Sequence, residues 1–297
     1  MERLRSRGRQ KTHFSRESSV IGVVRGGTFG DALRLHRGEG PGFAILRLLL
    51  ALAIFLIHAR YLSHLGGSPD PAAPAELGKE VQQDIGAWTA ERPFFVVQVA
   101  AFFALSGFLV TGSALRVRYM STFLAFRAFR IFPALFVEVT LSALLLGPLF
   151  TRWLLHEYFS NSQFFRYFGN IIGWITFYLP GVFETNRYNI VNANLWTLPS
   201  EFDCYFITAL LMLTGAIYRR TLCTAALAIV TVVFVLLNTF SSFAITPFVY
   251  SGYTITYYIF VGMLFYHWKD QIPARWWLFA VSAGASYIFM YLSIRFF

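Results

Sequence analysis

Two ionisable side chains, Arg47 and His58, lie in the apolar run RLLLALAIFLIH. Eleven helical residues turn through about 1100°, so the pair falls within roughly 20° of one helix face, about 16 Å apart along the axis. An ionisable group in such a run is costly, which makes each a candidate for function. The Arg, near the cytosolic end, could hold an anionic cofactor whose reactive end then lies near the His. Histidine changes protonation near neutral pH and suits general-base or nucleophilic work. The plainer account is an Arg snorkelling at the helix start and a satisfied His near the other end.

Arg127 and Arg130, in RAFR, fall in the stretch after the second apolar run. At i and i+3 they share a helix side, and guanidinium forks suit phosphate oxygens. A basic loop that only sets orientation is the simpler reading. The segment NIVNANLWTLPSEFDCY, residues 189–205, places Asn194, Trp196, Glu201 and Tyr205 beside an apolar run. Glu201 and Tyr205 are i and i+4 and share a face of a helix starting there. A carboxylate at that boundary could orient a His or bind a sugar hydroxyl, and Trp196 could stack on a sugar ring. An interfacial helix start with Pro199 in its first turn is the alternative. In FFALSGFLVTGS, the small residues Ser106, Gly107, Gly112 and Ser113 let helices or a ligand approach closely, packing being the commoner use. No base partners Ser106, so it is not read as a nucleophile. Cys204 and Cys223 read as buried small residues, and no Cys/His spacing points to a metal site.

Seven apolar runs long enough to cross a bilayer would position these groups: about 43–62, 93–114, 131–150, 200–218, 221–239, 243–266 and 277–296. The chain is 56% hydrophobic and 13% charged, too little polar surface for a water-facing globule of 297 residues. A further run, 167–183, is broken by Gly173, Pro180 and Gly181 and reads as re-entrant or interfacial. If it does not cross, Arg116, Arg118, Arg127, Arg130, Arg219, Arg220, Lys269 and Arg275 all fall on the cytosolic side, as the positive-inside rule asks. Residues 151–199 and the Pro-rich loop 63–92 then lie outside. Residues 1–42 carry nine Lys/Arg against four acids and read as a flexible basic cytosolic tail without a signal peptide. The net charge of +10 sits between apolar runs, which argues against a nucleic-acid partner. The expected fold is therefore an all-α polytopic membrane bundle of seven spans plus a re-entrant segment, in the plasma (inner) membrane with a cytoplasmic N-terminus.

Four elements occur in one order: R-X10-H from Arg47 to His58, FFALSGF at 102–108, RAFRIFP at 127–133, and LPGVF…VNANLWTLPSE from 179 to 201. Together they resemble the acyltransferase-3 family, membrane enzymes that O-acetylate bacterial polysaccharides and related acceptors. The likeness runs from about residue 40 to 270. It implies transfer of an acyl group, usually acetyl, from cytosolic acyl-CoA to a hydroxyl of a glycan or exopolysaccharide precursor. Acyl-CoA is then a co-substrate, with no bound cofactor. Carried over residue by residue, Arg47 and His58 match the first-span pair, Arg127 and Arg130 the R-X-X-R element near the CoA phosphates, and Glu201 the carboxylate after the tryptophan motif. His58 and Glu201 become catalytic candidates, Arg47, Arg127 and Arg130 acyl-CoA contacts, and Asn194 and Trp196 acceptor contacts. His58 serves either as base or as acyl carrier. The family commonly has more spans than the seven counted here, and the last run reaches Phe297 with no polar tail. Residues 43–297 are thus expected to be a C-terminally incomplete or shortened domain. A transporter or flippase of a lipid-linked glycan, or a shortened non-catalytic relative, are the competing readings.

Overall fold

The computed structural model describes residues 27–36, 40, 42–64, 92–186, 189–240 and 252–296. The first part of the basic tail, nearly all of the 63–92 loop and the first residues of the 243–266 run lie outside the described residues. Within those described the chain is helical and forms no strands. A short helix α1 (Phe29–Leu35) precedes α2 (Phe43–His64), α3 (Arg92–Val117) and α4 (Met120–Leu141). α4 continues through a π-helical turn (Ser142–Leu146) to Gly147–Phe150. Two short helices follow, α5 (Leu155–Ser160) and α6 (Ser162–Tyr167). The long elements then resume as α7 (Leu198–Leu213), α8 (Arg220–Phe240), α9 (Gly252–His267) and α10 (Trp276–Phe296). Val97–Val117 and Met120–Phe150 are long and apolar enough to cross a membrane. The second of these carries large exposed apolar side chains such as Phe126, Phe129, Phe136 and Leu149 on its outward face, as in a helical membrane protein.

The helix ends sort into two groups. At one end Phe43 packs edge-on to Phe108, and Phe108 to Tyr266. Val110, Ala114, Phe123, Met212 and Ile217 form one buried cluster there. Trp268 Nε1 donates to Thr224 Oγ1 at 3.0 Å, and the Arg220 guanidinium lies over the Trp268 ring. This end therefore gathers the start of α2, the α3–α4 turn, the α7–α8 turn and the α9–α10 turn, with Arg116, Arg118, Arg219, Arg220, Lys269 and Arg275 on or beside it.

Residues 27–36, inside the segment expected to be flexible, are folded against this end. Thr28 and Asp31 form a capping box on α1. Phe29 N donates to Ile272 O and Ala274 N to Gly27 O, each at 2.9 Å. Arg34 bridges Asp31 at 2.7 Å and Asp270 at 2.6 Å. The Thr28 amide, then Arg34, lower the Asp31 carboxyl from 3.8 to about 2. The stability that this contact adds is thus fully present above 3.8 and lost as pH falls through that lower value.

At the other end, residues 151–197 cap the second half of α4. Leu135, Val139, Ala143, Tyr158, Phe164, Tyr167, Leu179, Val182 and Leu195 share a core. The broken run 167–183 makes a 3-10 turn (Phe168–Ile172), stops at Gly173 with φ 87°, and continues without regular structure. Fully buried Asn170 fixes it: its Nδ2 donates to Thr176 O at 2.9 Å, and Thr176 N donates to its Oδ1 at 2.7 Å. Such a clamp satisfies backbone groups that no helix pairs.

One boundary differs from the sequence reading. The stretch before residue 131 was expected to be a loop carrying Arg127 and Arg130. The loop is only Arg118 and Tyr119, with Arg118 at φ 63°, and both arginines lie inside α4. Aromatic neighbours let a helix bury an arginine that reads as loop in sequence.

Candidate functional site

The site is built where α4 faces α7 and where α2 and α3 meet the start of α7. Arg127 is 8% exposed. Its guanidinium lies 5.4 Å from the Phe123 ring centre and 5.8 Å from that of Tyr205. Its Nε is buried with no hydrogen-bond partner. Phe123 is one turn before it on α4, and Tyr205 comes across from α7. Tyr205 OH is 3.5 Å from Glu201 Oε2, the contact expected of residues four apart on one helix. Arg130, one turn on from Arg127 and exposed, is close enough to Glu201 to act on it electrostatically. Arg127, Arg130, Glu201 and Tyr205 therefore form one group between two helices. The surplus is positive, two guanidinium groups to one carboxylate, which suits a further anion.

Arg47 stands apart from that group. Its guanidinium lies 5.4 Å from the ring centre of Phe102, in FFALSGF. Phe102 and Trp196 pack against the same cluster, which buries Phe103, Cys204, Ile255 and Ile259. Arg47 and Trp196 are thus joined through aromatic packing. Asn194 is exposed, and its backbone N–H donates to Asn192 Oδ1 at 3.0 Å, capping the 3-10 turn Ala193–Thr197 that carries Trp196. Pro199 in the first turn of α7 costs no hydrogen bond there, because that amide has no helical partner.

His58 lies on α2, and its side chain falls outside the described residues. Its backbone is about 22 Å from Phe43 along the axis, and Glu201 is about 18 Å from Leu213. Phe43 and Leu213 both belong to the arginine-rich end. His58 and Glu201 therefore stand at similar depth, toward the opposite end.

Sequence reasoning missed Glu138. It lies in α4, in an apolar run, and its Oε1 accepts from Asn192 Nδ2 at 2.8 Å and from Ser142 Oγ at 3.2 Å. An acid inside such a run is itself the signal that could have found it. Phe102 as the platform for Arg47 was also missed, since an aromatic partner on another helix leaves no local pattern.

Comparison with known proteins follows the motif order. Nodulation protein 10 of Rhizobium leguminosarum bv. viciae is 30% identical over 189 residues, which are 62% of this chain and 46% of that protein. An O-acetyl transferase of Shigella phage Sf6 is 33% identical over 172 residues, 56% of this chain and 44% of its own length. The matched stretches thus span under half of either relative. No solved structure gives a significant match. An acyltransferase domain matches residues 41–297, nearly the whole chain beyond the basic tail, and the protein therefore belongs to the acyltransferase-3 family.

Proposed function

We propose that this protein is a multi-pass O-acyltransferase of the plasma membrane that moves an acetyl group from cytosolic acetyl-CoA to a hydroxyl of a glycan or exopolysaccharide precursor. The observation that carries the reading is the buried Arg127, with an unpartnered Nε, in a net-positive group with Arg130 and Glu201. Buried guanidinium without a counter-ion is costly, and a phosphate-bearing ligand would relieve that cost. The name O-acetyl transferase on the Shigella phage relative supports the same chemistry.

In this reading Arg127, Arg130 and Arg47 hold the CoA phosphates from the arginine-rich end, and the thioester reaches toward His58. The acceptor enters from the opposite end, against Trp196 and Asn194. His58 either takes the proton from the acceptor hydroxyl or first carries the acetyl group itself. In both routes the thioester C–S bond breaks, CoA leaves as the thiol after taking up the proton, and an ester C–O bond forms on the acceptor. Glu201, at the depth of His58, supports its charge.

Replacing Arg127 and Arg130 with Ala should raise the KM for acetyl-CoA about tenfold or more while kcat changes little, the loss expected for charged hydrogen bonds to a phosphate. CoA-thiol release by the purified protein measures it. An unchanged KM with poor membrane insertion would show that these arginines only set orientation.

The topology is part of the proposal: seven spans, the arginine-rich end and the tail in the cytosol, residues 151–197 outside. With Cys204 and Cys223 replaced by Ala, a Thr185→Cys variant should react with an impermeant maleimide on intact cells. Gln271→Cys should react only after permeabilisation. The reverse pattern would place the arginine-rich end outside.

A further inference from the structure

We propose that Glu138 is a positioning residue for the acceptor side: through Asn192 it holds the turn that carries Asn194 and Trp196 and leads into Glu201. The proposal rests on the acyltransferase reading for what the turn does, but the linkage is geometric.

Glu138 lies in the apolar helix Met120–Phe150, where an unpaired carboxylate is costly. One oxygen, Oε1, accepts from Asn192 Nδ2, 54 residues away in sequence. The other amide atom of Asn192, Oδ1, accepts the Asn194 N–H at 3.0 Å. Asn192 therefore cannot rotate without losing both bonds, and the N–H of Asn194 fixes which atom faces the carboxylate. Leu195, in the same turn, is buried with Leu135 and Val139 on the Glu138 side of α4. Apolar packing holds the turn down, and the amide–carboxylate link sets its orientation.

The backbone of α4 is shaped around this group. Gly147 N donates to Ser142 O, a π-type bond. The Ala143 carbonyl that this shift leaves is taken by Tyr158 OH at 2.7 Å. Single π turns inside α-helices are rare and concentrate at functional sites. Ser142, the first residue of the turn, donates to the same Glu138 oxygen. The buried Tyr167 hydroxyl faces Glu138 and Ser142 without a hydrogen bond of good geometry. Glu138 Oε2 has no partner among the described residues.

That asymmetry supplies the test. Glu138→Gln keeps Oε1 and changes only the unpartnered atom, whereas Glu138→Ala removes the link. Asn192→Asp keeps the cap on Asn194 but cannot donate to Glu138. With acetyl-CoA as donor and a p-nitrophenyl glycoside accepted by the wild type, Glu138→Ala and Asn192→Asp should raise the glycoside KM about tenfold at unchanged acetyl-CoA KM. Glu138→Gln should stay within about twofold of wild type on the same scale. If Gln is as impaired as Ala, or both KM values move together, the positioning role is wrong. A second readout needs no activity. In a protein with Cys204→Ala and Cys223→Ala, maleimide labelling of Asn194→Cys should speed up with Glu138→Ala and with Asn192→Asp, and not with Glu138→Gln. Equal labelling in all of them overturns the linkage. A wild type that moves no acetyl group, with labelling that still follows Glu138, would sink the proposed function and leave the linkage standing.

Discussion

Replacing His58 with alanine should lower acetyl transfer by roughly a hundredfold to ten-thousandfold, the range for removing a positioned acid–base group. Expression and membrane insertion should be unchanged, because one His→Ala in a helix of 22 residues costs little apolar surface. His58 shares a face with Arg47, stands at the depth of Glu201, and is the one side chain among the three that both accepts and returns a proton near neutral pH. Acetyl-CoA binding, read by competition with a labelled CoA analogue, should survive, since the phosphate contacts are assigned to Arg127, Arg130 and Arg47. Near-normal turnover in His58→Ala would make the histidine a packing residue.

A second large effect is expected where α3 crosses α9. A Cβ built on Gly107 would overlap the Ile259 carbonyl, and one on Gly262 the Ala104 carbonyl. Both obstacles are backbone, so no side chain can swing aside. Gly107→Ala and Gly262→Ala should each cost about 1–3 kcal/mol, lowering Tm in detergent by several degrees, and the valine variants should not accumulate as folded protein. Gly284→Ala on α10 is the control: nothing lies within 4 Å of its Cβ, and alanine is the better helix former. Equal Tm values for all three alanine variants would show that the crossing tolerates separation. The small residues of FFALSGF then serve helix approach, the commoner use for such a stripe in membrane helices.

The candidate site was legible to different depths. Glu201 with Tyr205 could be paired from sequence because the relation follows helical periodicity along one segment, as it would for Arg47 and His58, whose histidine side chain lies outside the described residues. The type of Arg127 and Arg130 was readable but their setting was not. Two arginines in seven residues look like a loop until Phe123 and a tyrosine 78 positions away supply rings on which one of them can be buried. Glu138 was visible as an acid in an apolar run, yet its partner Asn192 comes from another element and leaves no spacing to detect. The same holds for α1. Its capping box is a local pattern, but Arg34 meets Asp270 across 236 residues, and only the folded chain shows that part of the tail is docked. The irregular segment 167–183 was correctly denied regular span character by its glycines and proline, whereas the Asn170 clamp that holds it depends on how the chain closes back on itself.

The central claim is that acetyl groups leave CoA on this protein and arrive as esters on a hydroxylated acceptor. It is tested most directly by incubating the purified chain in proteoliposomes with acetyl-CoA labelled in its acetyl group and a glycan-bearing membrane extract. The account predicts base-labile label in the glycan fraction, one free CoA thiol for each ester formed, and loss of both with His58→Ala. Glycan moving across the bilayer with no CoA release and no labelled ester would contradict it, and would make the protein a carrier rather than a transferase.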